Sequence, residues 1–227
     1  VCHENCLWFK FKNSNVIYGI VYIPPEGSHY SSLEIFNVIG SNIVDISAQI
    51  ENVSFVILGD FNARSNTMSD FVNIDPYISN VSLDNITSHT LSMNNLVELG
   101  FPIDRFSGDE CFVNNYGYRL VDMCKAFGLA IGNGRCGKDM YVGKCTCKGT
   151  SLVDYVLLSP CNFPCVFDFE VLDFDPILSD AHCCISFKFS IKNIELLQNA
   201  SDVDTDIDNV ECIVEKPIWD NCAKNKF

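Results

Sequence analysis

The chain has 227 residues, enough for one sizeable α/β domain or two small ones. Apolar residues make up 48% and charged residues 19%, which indicates a folded globular protein rather than a disordered one. The net charge of −14 argues against a protein that coats nucleic acid with a broad basic face. A polyanionic substrate would have to be met by a bound cation and a few local basic groups. No apolar run approaches the roughly 20 residues that span a bilayer, so we expect no membrane partner.

The thirteen cysteines are unevenly spaced, and several, such as Cys124 and Cys183, lie in apolar segments. This pattern favours buried free thiols in a reducing, intracellular compartment over a disulfide framework. A zinc site is a minor alternative, because two close cysteine pairs lack the spacing of a repeated zinc module. These pairs are Cys145 with Cys147 and Cys161 with Cys165.

The first elements in chain order are predicted to be a hairpin, a helix and a buried strand. Residues 7–12 alternate apolar and polar side chains, and the 16–23 segment follows after a turn, as in an antiparallel hairpin. Apolar residues then recur at helical spacing after Ser31 or Ser32, a candidate N-cap. Phe55 to Leu58 is an unbroken apolar run, typical of a strand buried on both faces.

The second half is predicted to contain a long loop, a helix and further strands. Asn66 to Asn95 is polar with weak periodicity, as in a functional or mobile loop. Tyr118 to Phe127 predicts a helix that ends at Gly128. Strands joined by two helices indicate an α/β fold of packed sheets covered by helices. The remaining predicted strands are 129–131, 144–148, 151–158, 164–174 and 182–191.

A domain boundary is predicted near residue 192. Residues 1–192 carry all of the predicted core, whereas residues 193–227 are acidic and have no core pattern. We therefore expect an acidic linker over 193–227. Its last part, Lys216 to Asp220, is expected to begin another module.

Asp60 and Asn62 come directly after the Phe55 strand. Two residues apart on an extended backbone, their side chains are expected to point the same way. The alternative is an Asp-Asn turn that closes the strand, since both residue types are common in turns.

Four more polar residues lie in or beside predicted strands. Asp154 interrupts an otherwise apolar strand, where a buried carboxylate needs a partner such as histidine, or else holds a loop amide. Asp180 and His182 open the last strand, and Tyr22 lies at the end of the second. Carboxylates, an amide and an imidazole at strand ends suit phosphodiester hydrolysis assisted by a hard divalent ion.

Three short motifs, in the same order, resemble those of the endonuclease/exonuclease/phosphatase (DNase-I-like) superfamily. They are Gly59-Asp-Phe-Asn-Ala63, Ser151-Leu-Val-Asp-Tyr155 and Ser179-Asp-Ala-His182. More narrowly, the chain is similar to the endonuclease domain of LINE-type non-LTR retrotransposons over nearly all of residues 7–191. This similarity is carried by Val21 to Pro25, by Leu129 to Arg135 and by the tail that contains Trp219.

The resemblance implies a four-layer α/β/β/α fold, in which a two-sheet β-sandwich is flanked by helices. It implies a DNA endonuclease that uses Mg²⁺ or Mn²⁺ in the cleft between the sheets and nicks target DNA for retrotransposition. It also implies action in the nucleus and a downstream reverse transcriptase module in the parent polyprotein.

Roles are carried over by position in the motifs. Asp60 would align or deprotonate the attacking water, with Asn62 beside it. Asp154 would orient His182, which would contact the scissile phosphate. Tyr22 would lie near the phosphate or the leaving group.

The chain departs from the family pattern in two places. Asp180 is the expected metal-side carboxylate, but Ala181 separates it from His182, whereas the family has the two residues adjacent. Either a bulge brings both side chains to the cleft, or only one keeps its role. The family also begins with strands that carry an Asn and a metal-binding Glu, and both would precede Val1. We therefore expect this chain to lack its first strands and to be inactive or nearly so.

Two alternatives remain from the residues alone. One is another hydrolase of the same superfamily that acts on a phospholipid or an inositol phosphate. The other is a decayed or domesticated remnant that binds a partner without catalysis, which the acidic composition would suit.

Overall fold

The computed structural model describes residues 5–12, 14–72, 93 and 96–190, together with the backbone of 2–3. The predictions for most of the 66–95 loop, for the acidic linker and for the module after it fall outside these residues. Within the described part, no helix is long and apolar enough to cross a membrane.

Six strands form one mixed sheet. They are β1 (Cys2–His3), β2 (Cys6–Phe9), β3 (Val16–Tyr22), β4 (Ser54–Asp60), β5 (Ala130–Ile131) and β6 (Asp154–Leu158). Their order in the sheet is β1-β2-β3-β4-β6-β5. β3 and β4 run parallel, and all other neighbours are antiparallel. The apolar β4 segment therefore lies in the middle of the sheet, as the unbroken run Phe55 to Leu58 predicted.

Two helices cover one face of this sheet. Helix α1 (Glu34–Gln49) connects β3 to β4, because parallel neighbours require a long crossover. Helix α2 (Asn115–Phe127) ends at Gly128, whose φ of 63° is left-handed, as predicted. The apolar face of each helix packs on side chains of β3, β4 and β6. The buried residues of this layer include Ile39, Ile43, Leu120, Cys124, Ile17, Ile57 and Leu157.

A small second sheet packs on the opposite face. It consists of β7 (Val166–Val171) and β8 (Ile185–Phe189), which pair antiparallel. Its apolar residues share one cluster with side chains of the large sheet. The cluster includes Tyr18, Val56 and Val156 from the large sheet and Phe169, Val171, Ile185 and Phe187 from the small sheet. The described chain is thus a mixed α/β fold with a six-stranded mixed sheet and a two-stranded sheet.

The loop between β5 and β6 differs from the prediction. A strand was predicted over 144–148, but only Cys147 makes isolated bridges, to Ser151 and to His182. Lys148 and Gly149 have φ of 49° and 67°, so the chain turns back before a strand can extend. Similarly, β8 begins at Ile185 rather than at His182.

The core contains a charged pair that the sequence analysis missed. Arg135 and Asp70 are both fully buried and form a bidentate pair, with Nη1 to Oδ2 at 2.6 Å and Nη2 to Oδ1 at 2.8 Å. Arg135 also donates to the carbonyls of Pro102 and Ile131, at 3.1 Å and 2.9 Å. Burial by itself raises the pKa of Asp70, but the contacts with Arg135 outweigh it, so the pKa is lowered.

The cysteines of the described residues are free. Burial raises the pKa of Cys136 to about 12 and that of Cys165 to about 11, so both thiols stay protonated at neutral pH. Neither cysteine pair considered for zinc belongs to a group of three metal-binding side chains in the described part.

Candidate active site

Three predicted site residues form one row across the sheet. Tyr22 of β3 is the register partner of Asp60 of β4, and Asp60 is the register partner of Asp154 of β6. Side chains of directly paired residues lie on the same face of a sheet, so the row brings the two carboxylates next to each other. Asp154 is the first residue of β6 rather than an interior one, so its carboxylate lies at the strand end.

Asp60 and Asn62 are brought together, but not by an extended backbone. Asn62 has a φ of 46°, in the left-handed region that Asn tolerates. Its backbone N–H donates to Asp60 Oδ1 at 2.9 Å, and its Nδ2 donates to Asp60 Oδ2 at 3.1 Å. The same Nδ2 donates to the carbonyl of Ile23 at 2.8 Å. The turn alternative is therefore correct for the backbone, and the amide still lies against the carboxylate.

The close approach of β3 and β4 beside this site depends on a glycine in β4. Gly59 has a φ of 151°, and a Cβ at this position would lie 1.8 Å from the carbonyl oxygen of Val21. β3 and β4 approach too closely here for any side chain. Asp60, the next residue, is therefore carried at a point where the backbone has little freedom.

Asp154 holds His182. The Oδ2 of Asp154 lies 2.8 Å from Nδ1 of His182, and the two side chains are about equally part-buried, at 18% and 24% exposed. Because a carboxylate only accepts hydrogen bonds, Nδ1 is the donor. The backbone of His182 is also fixed, since its N–H donates to Ser179 Oγ at 2.9 Å and it bridges to Cys147.

The other ring nitrogen of His182 faces Asp60. Nε2 lies 3.9 Å from Asp60 Oδ2, too far for a direct hydrogen bond. One oxygen atom placed beside the two would be within hydrogen-bond distance of both. This gap is suited to hold a water molecule, which can donate both to the carboxylate and to Nε2 of the neutral imidazole.

Asp60, Asp154 and His182 form the only group in the described part that could hold a metal ion, with donor atoms within 4.8 Å of one another. Carboxylate oxygens are the ligands that Mg²⁺ and Mn²⁺ prefer, so the two aspartates suit such an ion. The imidazole suits it less, and its Nδ1 already contacts Asp154. The donor set therefore fits a hard divalent ion at the carboxylates, with His182 beside it.

Tyr22 completes the row. Its side chain is 54% exposed, so the hydroxyl is open to a ligand. Partial burial raises the pKa of Tyr22, and the charge of Asp60 raises it further. Tyr22 therefore remains a hydrogen-bond donor through the neutral and mildly alkaline range.

Asp180 is not part of this group. It is exposed and lines a groove together with Ala181, Lys144 and Lys148. The structure thus brings together Asp60, Asn62, Asp154 and His182, with Tyr22 next in the row. The expected metal-side carboxylate of Asp180 lies outside the cluster.

Asn114 is a supporting residue that the sequence analysis missed. It is the N-cap of α2, and its Oδ1 accepts from the N–H groups of Gly117 and Arg64, both at 2.8 Å. Its Nδ2 donates to the carbonyl of Asn62 at 3.0 Å. One side chain thus ties the turn after β4 to the start of a helix. An Asn just before a helical pattern is an N-cap signal, so the sequence could have predicted this role for Asn114.

A second buried contact fixes the same turn from behind. The Tyr155 hydroxyl lies 2.9 Å from the carbonyl oxygen of Ala63 and 3.0 Å from Ser65 Oγ. Ser65 Oγ in turn accepts from Nη2 of the buried Arg105 at 2.6 Å. Tyr155 follows Asp154 in β6, so both sides of the carboxylate pair are anchored in one buried network.

The chain matches no protein-family model, and it has no significant match among curated proteins.

Proposed function

We propose that this site is the centre of a metal-dependent phosphodiesterase of the endonuclease/exonuclease/phosphatase superfamily. Its substrate would be DNA, which it would nick in the nucleus to start retrotransposition. In the parent polyprotein, a reverse transcriptase module would follow the acidic linker. The proposed fold is the four-layer sandwich of that superfamily, of which the helix layer, the large sheet and the small sheet would be three layers.

The observation that carries the proposal is the opposition of Asp60 and Asp154 across two neighbouring strands. Like charges directly opposite each other destabilise a sheet. A cation placed at the two carboxylates would remove that repulsion. His182 lies 2.8 Å from Asp154 through Nδ1, whereas its Nε2 is 3.9 Å from Asp60 Oδ2. A divalent ion bound there would neutralise charge that develops on a phosphate in the transition state.

The side chains have distinct roles in this scheme. Asp154 keeps Nδ1 of His182 protonated and directs Nε2 toward Asp60. Asp60, held by both N–H donors of Asn62, accepts a proton from an attacking water or aligns it. His182, when it is protonated on Nε2 as well, donates from Nε2 to a phosphoryl oxygen. The Tyr22 hydroxyl donates to the phosphate or to the leaving oxygen.

We further propose that these 227 residues alone cleave DNA only in trace amounts. The resemblance calls for a glutamate as the principal metal ligand. In the described part of the chain, no third carboxylate joins the Asp60–Asp154–His182 group. Two carboxylates hold a hard ion more weakly than three, and the electrostatic contribution to catalysis falls with the occupancy of the site.

The experiment has two readouts on the full chain. Calorimetry and electron paramagnetic resonance would measure Mn²⁺ binding, and plasmid nicking with excess protein would measure cleavage. We expect weak Mn²⁺ binding by the wild type and none above background by Asp60→Asn. Nicking should be a trace that Asp60→Ala and His182→Ala both abolish, while Lys12→Asn, in the hairpin far from the site, changes neither readout.

The outcomes separate the alternatives. Efficient nicking that depends on Asp60 would overturn the claim of trace activity and support the phosphodiesterase. A folded chain with no Mn²⁺ affinity would favour the non-catalytic binding module. Hydrolysis of a small phosphodiester such as bis-p-nitrophenyl phosphate, without plasmid nicking, would favour a small-molecule phosphodiesterase of the same superfamily.

A further inference from the structure

A groove is lined by the two residues that flank His182 in the chain, Ala181 and Cys183. It has a volume of about 580 Å³ and is lined by Lys144, Cys145, Lys148, Gly149, Phe174, Asp180, Ala181 and Cys183. This size falls within the range of sites that hold a small molecule or one unit of a polymer. Ala181 and Cys183, which flank His182 in the chain, form part of its wall. A ligand in the groove would therefore lie against the segment that carries His182.

The walls of the groove are fixed by backbone hydrogen bonds. The N–H of Lys148 donates to the carbonyl of Ala181 at 2.8 Å, and the N–H of Cys183 donates to the carbonyl of Thr146 at 2.7 Å. Cys147 bridges to His182 between these two bonds. The segment with the lysines is thus held in register with the segment that carries the imidazole.

Lys148 occupies an unusual position in this wall. Lys148 and Gly149 are the central residues of a tight turn, closed by a bond from Thr150 N–H to the carbonyl of Cys147 at 3.1 Å. Their φ angles of 49° and 67° are the pattern of a type I′ turn. Asn, Asp or Gly is favoured at both positions, and a lysine there is strained. Lys148 is exposed, so this turn contributes a cation to the lining of the groove.

The charges in the groove favour an anion. The residues that line the groove include two lysines, Lys144 and Lys148, and one carboxylate, Asp180, in a chain whose net charge is −14. Lys144 pairs with Asp173, whose side chain is fully exposed, and an exposed pair of this kind is readily exchanged for another anion. For Lys148, no side-chain partner exists among the described residues. Phe174, half-exposed at 49%, offers a ring to a flat ligand.

We propose that the groove binds the nucleic-acid strand beside the scissile phosphate, with one backbone phosphate at Lys148 and Lys144 and one base against Phe174. Lysines near a phosphate and an aromatic ring under a base are the two contacts that hold single strands without regard to sequence. The inference rests on the proposed function, and it names the local basic groups that an acidic chain needs to meet a polyanion. Substrate orientation would then be set next to His182.

The test measures binding, not cleavage. A fluorescein-labelled oligodeoxythymidine of about 12 nucleotides is titrated with the full chain in EDTA, and anisotropy is followed at several salt concentrations. Lys148→Asn should weaken binding roughly 3- to 10-fold at low salt and reduce the salt slope by about 0.7, the value for one lost single-strand phosphate contact. Phe174→Ala should weaken binding about fivefold or more.

Two variants act as matched controls. Lys148→Arg keeps the charge, and Lys12→Asn removes a cation at the other end of β3, so both should bind within about twofold of the wild type. The thermal stability of Lys148→Asn provides a further control, because it should change in the opposite direction to the affinity. Asn suits the turn better than Lys, so the melting temperature should stay the same or rise while affinity falls.

The failure of this inference is separable from that of the proposed function. If Asp60→Asn binds the oligonucleotide normally through Lys148 but the wild type binds no Mn²⁺, the assignment of the groove is supported. The proposal of a metal-dependent phosphodiesterase is then contradicted. Suppose instead that the wild type cleaves DNA, and that Lys148→Asn binds the oligonucleotide with the affinity and the salt dependence of the wild type. The groove assignment is then overturned. It is also overturned if inorganic phosphate competes as well as the oligonucleotide, or if anionic vesicles bind through Lys148 and the oligonucleotide does not.

Discussion

Asp154 and His182 are 28 residues apart in the chain, yet Oδ2 of the first lies 2.8 Å from Nδ1 of the second. The contact joins the first residue of a central strand to a loop residue before the small sheet. It determines which nitrogen of the imidazole carries the proton. The other nitrogen, Nε2, faces Asp60, and in this tautomer it carries the lone pair that can take up a proton during a reaction.

Replacing Asp154 with Asn tests this assignment without requiring activity. In the wild type at neutral pH, the His182 ring should be protonated at Nδ1, because only a donor can face the carboxylate. An Asn amide at position 154 donates to Nδ1 and should move the proton to Nε2. Ring ¹⁵N spectra would show the change, with His182→Gln identifying the signal. A wild-type His182 ring that carries its proton on Nε2 instead of Nδ1 would contradict the proposed contact.

The pKa of Tyr22 should respond to Asp60. Burial and the neighbouring carboxylate both raise this pKa, so Asp60→Asn should lower it part of the way and leave the contribution of burial. A raised pKa in the folded state means that the protein binds the Tyr22 proton more tightly when folded. Stability linked to Tyr22 is therefore fully present below about pH 10 and declines as the pH rises further.

Carbon-13 labelling of the tyrosine ring would follow the ionisation of Tyr22, assigned by Tyr22→Phe. A pKa of Tyr22 that does not change in Asp60→Asn would show that the row Tyr22–Asp60 is not electrostatically coupled. Lys12→Asn, remote from the row, should leave the curve unchanged.

Asp70→Ala should destabilise the fold strongly. The change leaves the guanidinium of Arg135 buried without its carboxylate, and losses of about 3–5 kcal/mol are typical of this situation. Urea unfolding followed by circular dichroism would measure the loss. Glu170→Ala, which breaks the exposed pair with Lys138, should cost much less.

The same carboxylate should make stability depend on acid pH. Because the pKa of Asp70 is lowered in the folded state, the unfolded chain takes up this proton first as the pH falls. Its contribution is present above about pH 4 and is lost below that value. An Asp70→Asn variant that lost stability with acid as steeply as the wild type would argue against this origin.

Gly117→Ala should destabilise the protein, although Ala is normally the better helix residue. A Cβ at Gly117 would lie 2.0 Å from the carbonyl oxygen of Arg64, so α2 and the turn after β4 would be forced apart. We expect a loss of about 1–3 kcal/mol, as for overpacked cores, and weaker Mn²⁺ binding because Asn62 shifts. Ala126→Gly, on the exposed side of the same helix, should cost about 1 kcal/mol. Stabilisation by Gly117→Ala would refute the contact.

The central strand could be predicted from the sequence because its cause is local. Phe55 to Leu58 is apolar on both faces, and β4 lies between β3 and β6 in the sheet. The end of α2 was equally local, since Gly128 supplies the left-handed residue that stops a helix. The closeness of Asp60 and Asn62 was predicted for the wrong reason. Asn62 has a positive φ, which alternation of side chains along a strand does not anticipate.

The buried pair of Asp70 and Arg135 could not have been predicted in this way. The two residues are 65 positions apart, and each lies in a polar, turn-like context. The position of Asp180 was likewise beyond a motif comparison, because the path of the chain through Ala181 depends on the bonds of the 146–148 segment to 181–183. Long-range pairing decided both cases, and no local pattern encodes it.

Because the row Tyr22–Asp60–Asp154 depends on strand register, the site should tolerate insertions and deletions in loops better than those in strands. Inserting or deleting one residue within β3, β4 or β6 would turn the following side chains to the opposite face and disperse the row. Insertions in the connections between these strands would leave the pairing intact. The length of the strands is thus under tighter constraint than the identity of most residues within them. A library of variants that differ in loop length should retain the site, whereas a library that differs in strand length should lose it.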